Sequence, residues 1–85
     1  PDPIYNAGVA LEQMGRTDDA MQAYETAKSK APRRADIRQN LANMLLKNGR
    51  VDEAAAEYDI VLELEPENAF VRDIRNAIAK NKRGN

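Results

Sequence analysis

The chain has 85 residues, 42% hydrophobic and 32% charged, with a net charge of −1, which suits one small, helix-rich soluble domain and gives no field to gather nucleic acid or a membrane. It contains no Cys and no His, which excludes disulfides, thiolate or imidazole catalysis and the usual transition-metal sites. No apolar run nears the roughly 18 to 20 residues of a membrane span, no signal segment is visible, and the expected compartment is the cytoplasm.

The first helix is expected from about Pro3 to Met14. Asp2 caps it, and Pro3 suits the first helical position, where a missing N–H costs nothing. Ile4, Ala7, Gly8, Leu11 and Met14 share one face. Gly8 in mid-helix costs about 1 kcal/mol relative to alanine, which implies the close approach of another helix. The second helix is expected from about Thr17 to Lys30, with Asp18 and Asp19 at its positive end and Lys28 and Lys30 at its negative end. Its buried stripe is Ala20, Met21, Tyr24 and Ala27, and Pro32 stops it.

The third helix is expected from about Ala35 to Asn48, with Ile37, Leu41, Ala42, Met44 and Leu45 inward. Arg33 and Arg34 stand at its start, where the helix dipole disfavours cations; this start is expected to fray or to have its arginines held by a partner. The fourth helix is expected from about Val51 to Leu64, with Ala54, Ala55, Tyr58, Val61 and Leu62 inward and Pro66 beyond it. The fifth runs from Asn68 or Ala69 to Lys80, with Phe70, Val71, Ile74, Ala77 and Ile78 on one stripe. Asn68 is its candidate cap. The basic, polar end from Asn81 to Asn85 is expected to be disordered.

One spacing organises these segments. Gly15-Arg16-Thr17-Asp18-Asp19-Ala20 returns 34 residues later as Gly49-Arg50-Val51-Asp52-Glu53-Ala54. The same offset carries Asn6 onto Asn40, Leu11 onto Leu45, Tyr24 onto Tyr58 and Pro32 onto Pro66. A fixed period of this size marks a stacked repeat.

Each unit is two helices joined by a glycine turn and closed by proline. This resembles the tetratricopeptide repeat. The family's pattern positions read Ile4, Ala7-Gly8, Leu11, Ala20, Tyr24, Ala27 and Pro32, then Arg38, Leu41-Ala42, Leu45, Ala54, Tyr58, Val61 and Pro66. The resemblance implies an all-α, right-handed solenoid of two antiparallel helix-turn-helix units plus a C-terminal capping helix. The units would cover residues 1–34 and 35–68, the cap 69–81, and the tail 82–85. Arg38 departs from the pattern, and Ile37 is expected to take over its packing. Lys28 and Lys30 replace leucine-like residues, so the end of the second helix is expected to be more exposed than usual. Arg72 and Arg75 give the last helix the polar outer face of a cap.

The resemblance also implies a function. It points to a non-catalytic scaffold or adaptor that binds a peptide or helix of a protein partner on its concave wall, with no cofactor. That wall would present Asp2, Tyr5, Val9, Glu12 and Gln13 from the first helix and Asp36, Gln39, Asn43, Leu46 and Lys47 from the third. The last helix would add Phe70, Asp73, Ala77 and Lys80. Tyr5, Val9, Leu46 and Phe70 are expected as apolar anchors, because helix-pair packing does not demand them. Gln39, Asn43 and Lys47 would hold polar atoms of the ligand backbone, with Glu12 beside them. Some members of the family grip a terminal carboxylate with Lys, Asn and Arg. Here those positions read Tyr5, Val9, Asn43, Phe70 and Ile74, and only Asn43 fits, which argues against that mode.

Other classes fare worse. The paired acids at helix starts are dipole partners, not an acid–base pair, and the glycines at 8, 15, 49 and 84 form no phosphate loop. Arg33, Arg34 and Arg38, with the tail cations Lys80, Lys82 and Arg83, lack the interleaved aromatics of a nucleic-acid surface. The rival reading is self-association into homo-oligomers through the face around Ile4 and Ala7, or by exchange of the last helix.

Overall fold

A computed structural model describes residues 3–83, with side chains described as far as Asn81. It consists of five helices: α1 Pro3–Gln13, α2 Thr17–Lys30, α3 Ala35–Lys47, α4 Val51–Leu64 and α5 Ala69–Arg83. No strand occurs among the described residues.

The period of 34 is written into the backbone hydrogen bonds. Gly15 and Gly49 both take φ of 79°, a left-handed conformation that glycine adopts without steric cost. Around each, the next residue's N–H reaches back to close the helix end: Arg16 N to Leu11 O, and Arg50 N to Leu45 O, both at 2.9 Å. At the proline ends, Ala31 N donates to Ala27 O and Arg34 N to Ala31 O; one unit later, Glu65 N donates to Val61 O and Asn68 N to Glu65 O. Arg16 pairs with Asp19, and Arg50 pairs with Glu53 at the same offset, each at 2.7 Å. Identical local bonds make two hairpins of one shape, α1–α2 and α3–α4.

Successive helices supply the main packing, α1 on α2, α2 on α3, α3 on α4 and α4 on α5. Tyr24 and Tyr58 are both fully buried, each flanked by small residues at Ala20, Ala27 and Ala54 that let the helices close in. Gly8 is buried against the Tyr24 ring, which is the close approach that its place in mid-helix implied. α3 is enclosed most completely, with Ala35, Ile37, Leu41, Ala42, Met44 and Leu45 all buried. Each large apolar side chain taken out of water there contributes about 1.5–3 kcal/mol. Ile37 does pack inward where Arg38 does not.

Four expectations change. Met14 lies just past α1 and is 65% exposed, and Ala7 is exposed too. In α3 the equivalent of Ala7, Leu41, is fully buried beneath the preceding hairpin. No described helix covers that side of α1. Phe70 and Ala77 also turn outward, while Val71 and Ile78 carry the buried stripe of α5. Lys28 is half-buried rather than exposed, because Glu57 accepts a hydrogen bond from it at 2.8 Å. Finally, α5 runs on to Arg83, past the expected stop at Lys80. Basic residues at a helix C-terminus are favoured by the dipole, so the polar run extends the helix instead of ending it. The expected cap Asp2 and residues 84–85 lie outside the described residues, as do the side chains of residues 82 and 83.

Candidate functional site

The expected inner wall falls on α1, α3 and the start of α5. Its aromatic end is built around Tyr5. The Tyr5 hydroxyl accepts a hydrogen bond from Asn40 Nδ2 at 2.8 Å. Its ring is tilted 46° to that of Tyr24, with centroids 6.0 Å apart. Above the ring lies the Arg34 guanidinium, 5.2 Å from the centroid, a cation–π arrangement. Arg34 also forks onto Asp36, at 3.2 and 2.7 Å. Burial pushes the Asp36 carboxyl up, but the Arg34 fork and the Ile37 N–H outweigh it and hold the group below its ordinary value. The start of α3, where fraying or an external partner was expected, is thus held from within the chain.

Glu12 and Asn43 receive the two buried tyrosines. Tyr24 Oη donates to Glu12 Oε1 at 2.8 Å, and Tyr58 Oη donates to Asn43 Oδ1. Burial, then the Glu12 carboxylate, raises the Tyr24 phenol well above the ordinary tyrosine range. Burial alone raises Tyr58. Asn68 serves twice. Its Oδ1 accepts from Val71 N at 3.0 Å, capping α5, and its Nδ2 donates to Gln39 Oε1 at 3.2 Å. Lys47 is 73% exposed and reaches Glu12 only at 3.9 Å.

The expected residues therefore divide. Tyr5, Val9 and Leu46 are half-buried against the core, so they contribute to packing as well as to any surface. Glu12, Gln39 and Asn43 each use an oxygen on an internal donor. Phe70, 59% exposed, and Lys47 stand open. Asn40, Asn68 and Arg34 were not expected on the wall, yet they hold its residues in place. The recurrence of Asn6 at Asn40 was the one sign in the sequence that this amide had a structural task.

A second polar cluster lies where α2, α3 and α4 meet. Glu57 accepts from Lys28 Nζ and from Arg38 Nη1, both at 2.8 Å. Arg38 Nε donates to the Pro32 carbonyl at 2.7 Å. Burial lowers the Lys28 ammonium, but its bonds to Glu57 and Glu25 prevail and raise it. Lys28 and Arg38, which break the apolar pattern here, share one partner.

Among the described residues no helix is long and apolar enough to cross a membrane. No curated protein matches the chain. The family model described as tetratricopeptide repeat matches residues 11–78, a span that takes in both glycine turns, both buried tyrosines and most of α5. With its all-helical hairpins repeating bond for bond, the chain belongs to the tetratricopeptide repeat family, whose members are generally non-catalytic protein-interaction modules.

Proposed function

We propose that the wall formed by α1, α3 and the start of α5 binds a peptide segment of a protein partner. One arrangement on α3 carries this reading. Gln39 and Asn43 are one helical turn apart, and each amide oxygen is occupied by a donor from inside the protein, Asn68 or Tyr58. Their NH2 groups donate to nothing among the described residues. Lys47 follows one turn later. The result is a row of donors with a rise of about 6 Å, close to the roughly 6.8 Å between alternate residues of an extended chain. Alternate carbonyls of an extended peptide would meet Gln39 and Asn43, an acidic group would meet Lys47, and Phe70 would anchor an apolar side chain. The units of the array are residues 1–34 and 35–68, with α5 as the closing helix.

The test uses Phe70→Ala with Lys47→Ala, because both side chains are open and carry little of the packing. Tyr5 and Asn43 are poor test positions, since Asn40 and Tyr58 depend on them. Peptides selected from a displayed random library would be titrated against labelled protein by NMR. Shifts should fall on α1 and α3, and the double variant should lose about tenfold in affinity or more. Shifts confined to the outer faces of α2 and α4, or unchanged affinity, would refute the groove. Self-association is the second reading, favoured by open Ala7 on α1 and Met14 just past its end. A molecular mass by light scattering that stays monomeric across a dilution series removes it.

A further inference from the structure

The two hairpins meet along α2 and α3, and the ends of that joint are built differently. Toward Pro32 it is fastened tightly. Glu57 takes both Lys28 and Arg38 at 2.8 Å, and the three side chains are only 12%, 23% and 13% exposed. Nearby, Asn40 holds the Tyr5 hydroxyl and Arg34 lies over the Tyr5 ring. Toward Gly15 and Gly49 the polar links are weaker: Lys47 reaches Glu12 only at 3.9 Å, and Asn48 Nδ2 donates to the weak acceptor Met21 Sδ at 3.7 Å. Two of the three methionines, Met21 and Met44, pack at this end. Unbranched thioether side chains accommodate irregular or changing gaps.

Charge-assisted bonds shielded from water are strong and weakly screened. An exposed ion pair contributes little. We propose that the joint is a one-sided hinge, pinned at Glu57 and free to fan open at the Glu12–Lys47 end. Glu57 is the pivot because it joins a cation of the first hairpin, Lys28, to one of the second, Arg38. Glu12 and Lys47 stand on opposite sides of the opening. A ligand carboxylate that engaged Lys47 would take up the weak charged link at the loose end and leave the pivot intact. That consequence rests on the groove reading; the hinge does not, and it is tested on the free protein.

The cysteine-free chain allows clean spin-labelling. Asp18→Cys with Asp52→Cys reports the loose end, and Ser29→Cys with Glu63→Cys the pinned end. In the parent, the double electron–electron resonance distance distribution at the loose end should be about twice as wide as at the pinned end. Glu57→Gln should widen the pinned end to match, and Lys28→Met, a milder change, should widen it partly. Lys47→Ala should leave the pinned end as it was. Equal widths in the parent overturn the hinge. So does a pinned end unmoved by Glu57→Gln and Lys28→Met at parental helicity by circular dichroism. If Glu57→Gln loses helicity, the parent comparison and Lys28→Met decide.

Discussion

Gly8→Ala sets packing against helix propensity, and the two predict opposite signs. A Cβ at position 8 would lie 2.8 Å from Tyr24 Cε1 and 2.9 Å from Cδ1. Carbon atoms rest about 3.5–4.0 Å apart, so the ring or the helix must give way by about 0.7 Å. The ring has little room to do so. It is fully buried, its hydroxyl is held on Glu12 at 2.8 Å, and the Tyr5 ring lies beside it. Overpacking of this kind costs about 1–3 kcal/mol, while alanine in a helix gains about 1 kcal/mol over glycine. The expected balance is a loss of roughly 1 kcal/mol, or about 4–8 °C in Tm for a domain of this size. Urea and thermal unfolding followed by far-ultraviolet circular dichroism measure it, with the m-value checked for constancy. In a Tyr24→Leu background the obstruction is gone, and the same Gly8→Ala change should stabilise. A Gly8→Ala protein at least as stable as its parent would refute the close-contact argument.

Glu57→Ala should cost about 2–3 kcal/mol, because it leaves Lys28 and Arg38 half-buried without a counter-charge; leucine at all three positions should match the parent or exceed it. Urea midpoints for the two variants that coincide would contradict this. Asn68→Ala should cost about 1 kcal/mol through the lost cap, and amide exchange at Val71 should speed up; unchanged exchange there counts against the cap. Alkaline pH should unfold the protein. Both buried phenols sit above their ordinary value, so the unfolded chain ionises first, near pH 10. Stability should be level below that pH and fall as it is passed. The fall should shrink in Tyr24→Phe and Tyr58→Phe; a urea midpoint that does not change with pH there would contradict it.

What could be seen in advance was what the chain decides locally. Gly15 and Gly49 end helices by backbone chemistry, Pro32 and Pro66 forbid continuation, and Tyr24 and Tyr58 fall on apolar stripes. Such signals need no knowledge of neighbours. Apart from the end of α5, which its own basic run extends, the failures were matters of neighbours. Ala7 and Leu41 hold the same place on apolar stripes one unit apart, yet one is open and the other closed, because only one has a hairpin behind it. Lys28 and Arg38 looked like flaws in the pattern because their shared partner lies 29 and 19 residues away, across helix boundaries. Tyr5 looked like a spare anchor until Asn40, 35 residues on, was found holding its hydroxyl. The orientations of Gln39 and Asn43 depend on which internal donor takes each oxygen, and no helical period encodes that.

Each helix leans chiefly on the one before it and the one after it in the chain. A stack of this kind has no keystone. Damage at one end dies away over a hairpin or so, and opening proceeds from the outside inward, with α3 and its six buried side chains the last to let go. Growth is equally simple: another 34 residues laid between the hairpins would lengthen the stack and need remake only the seam where they enter.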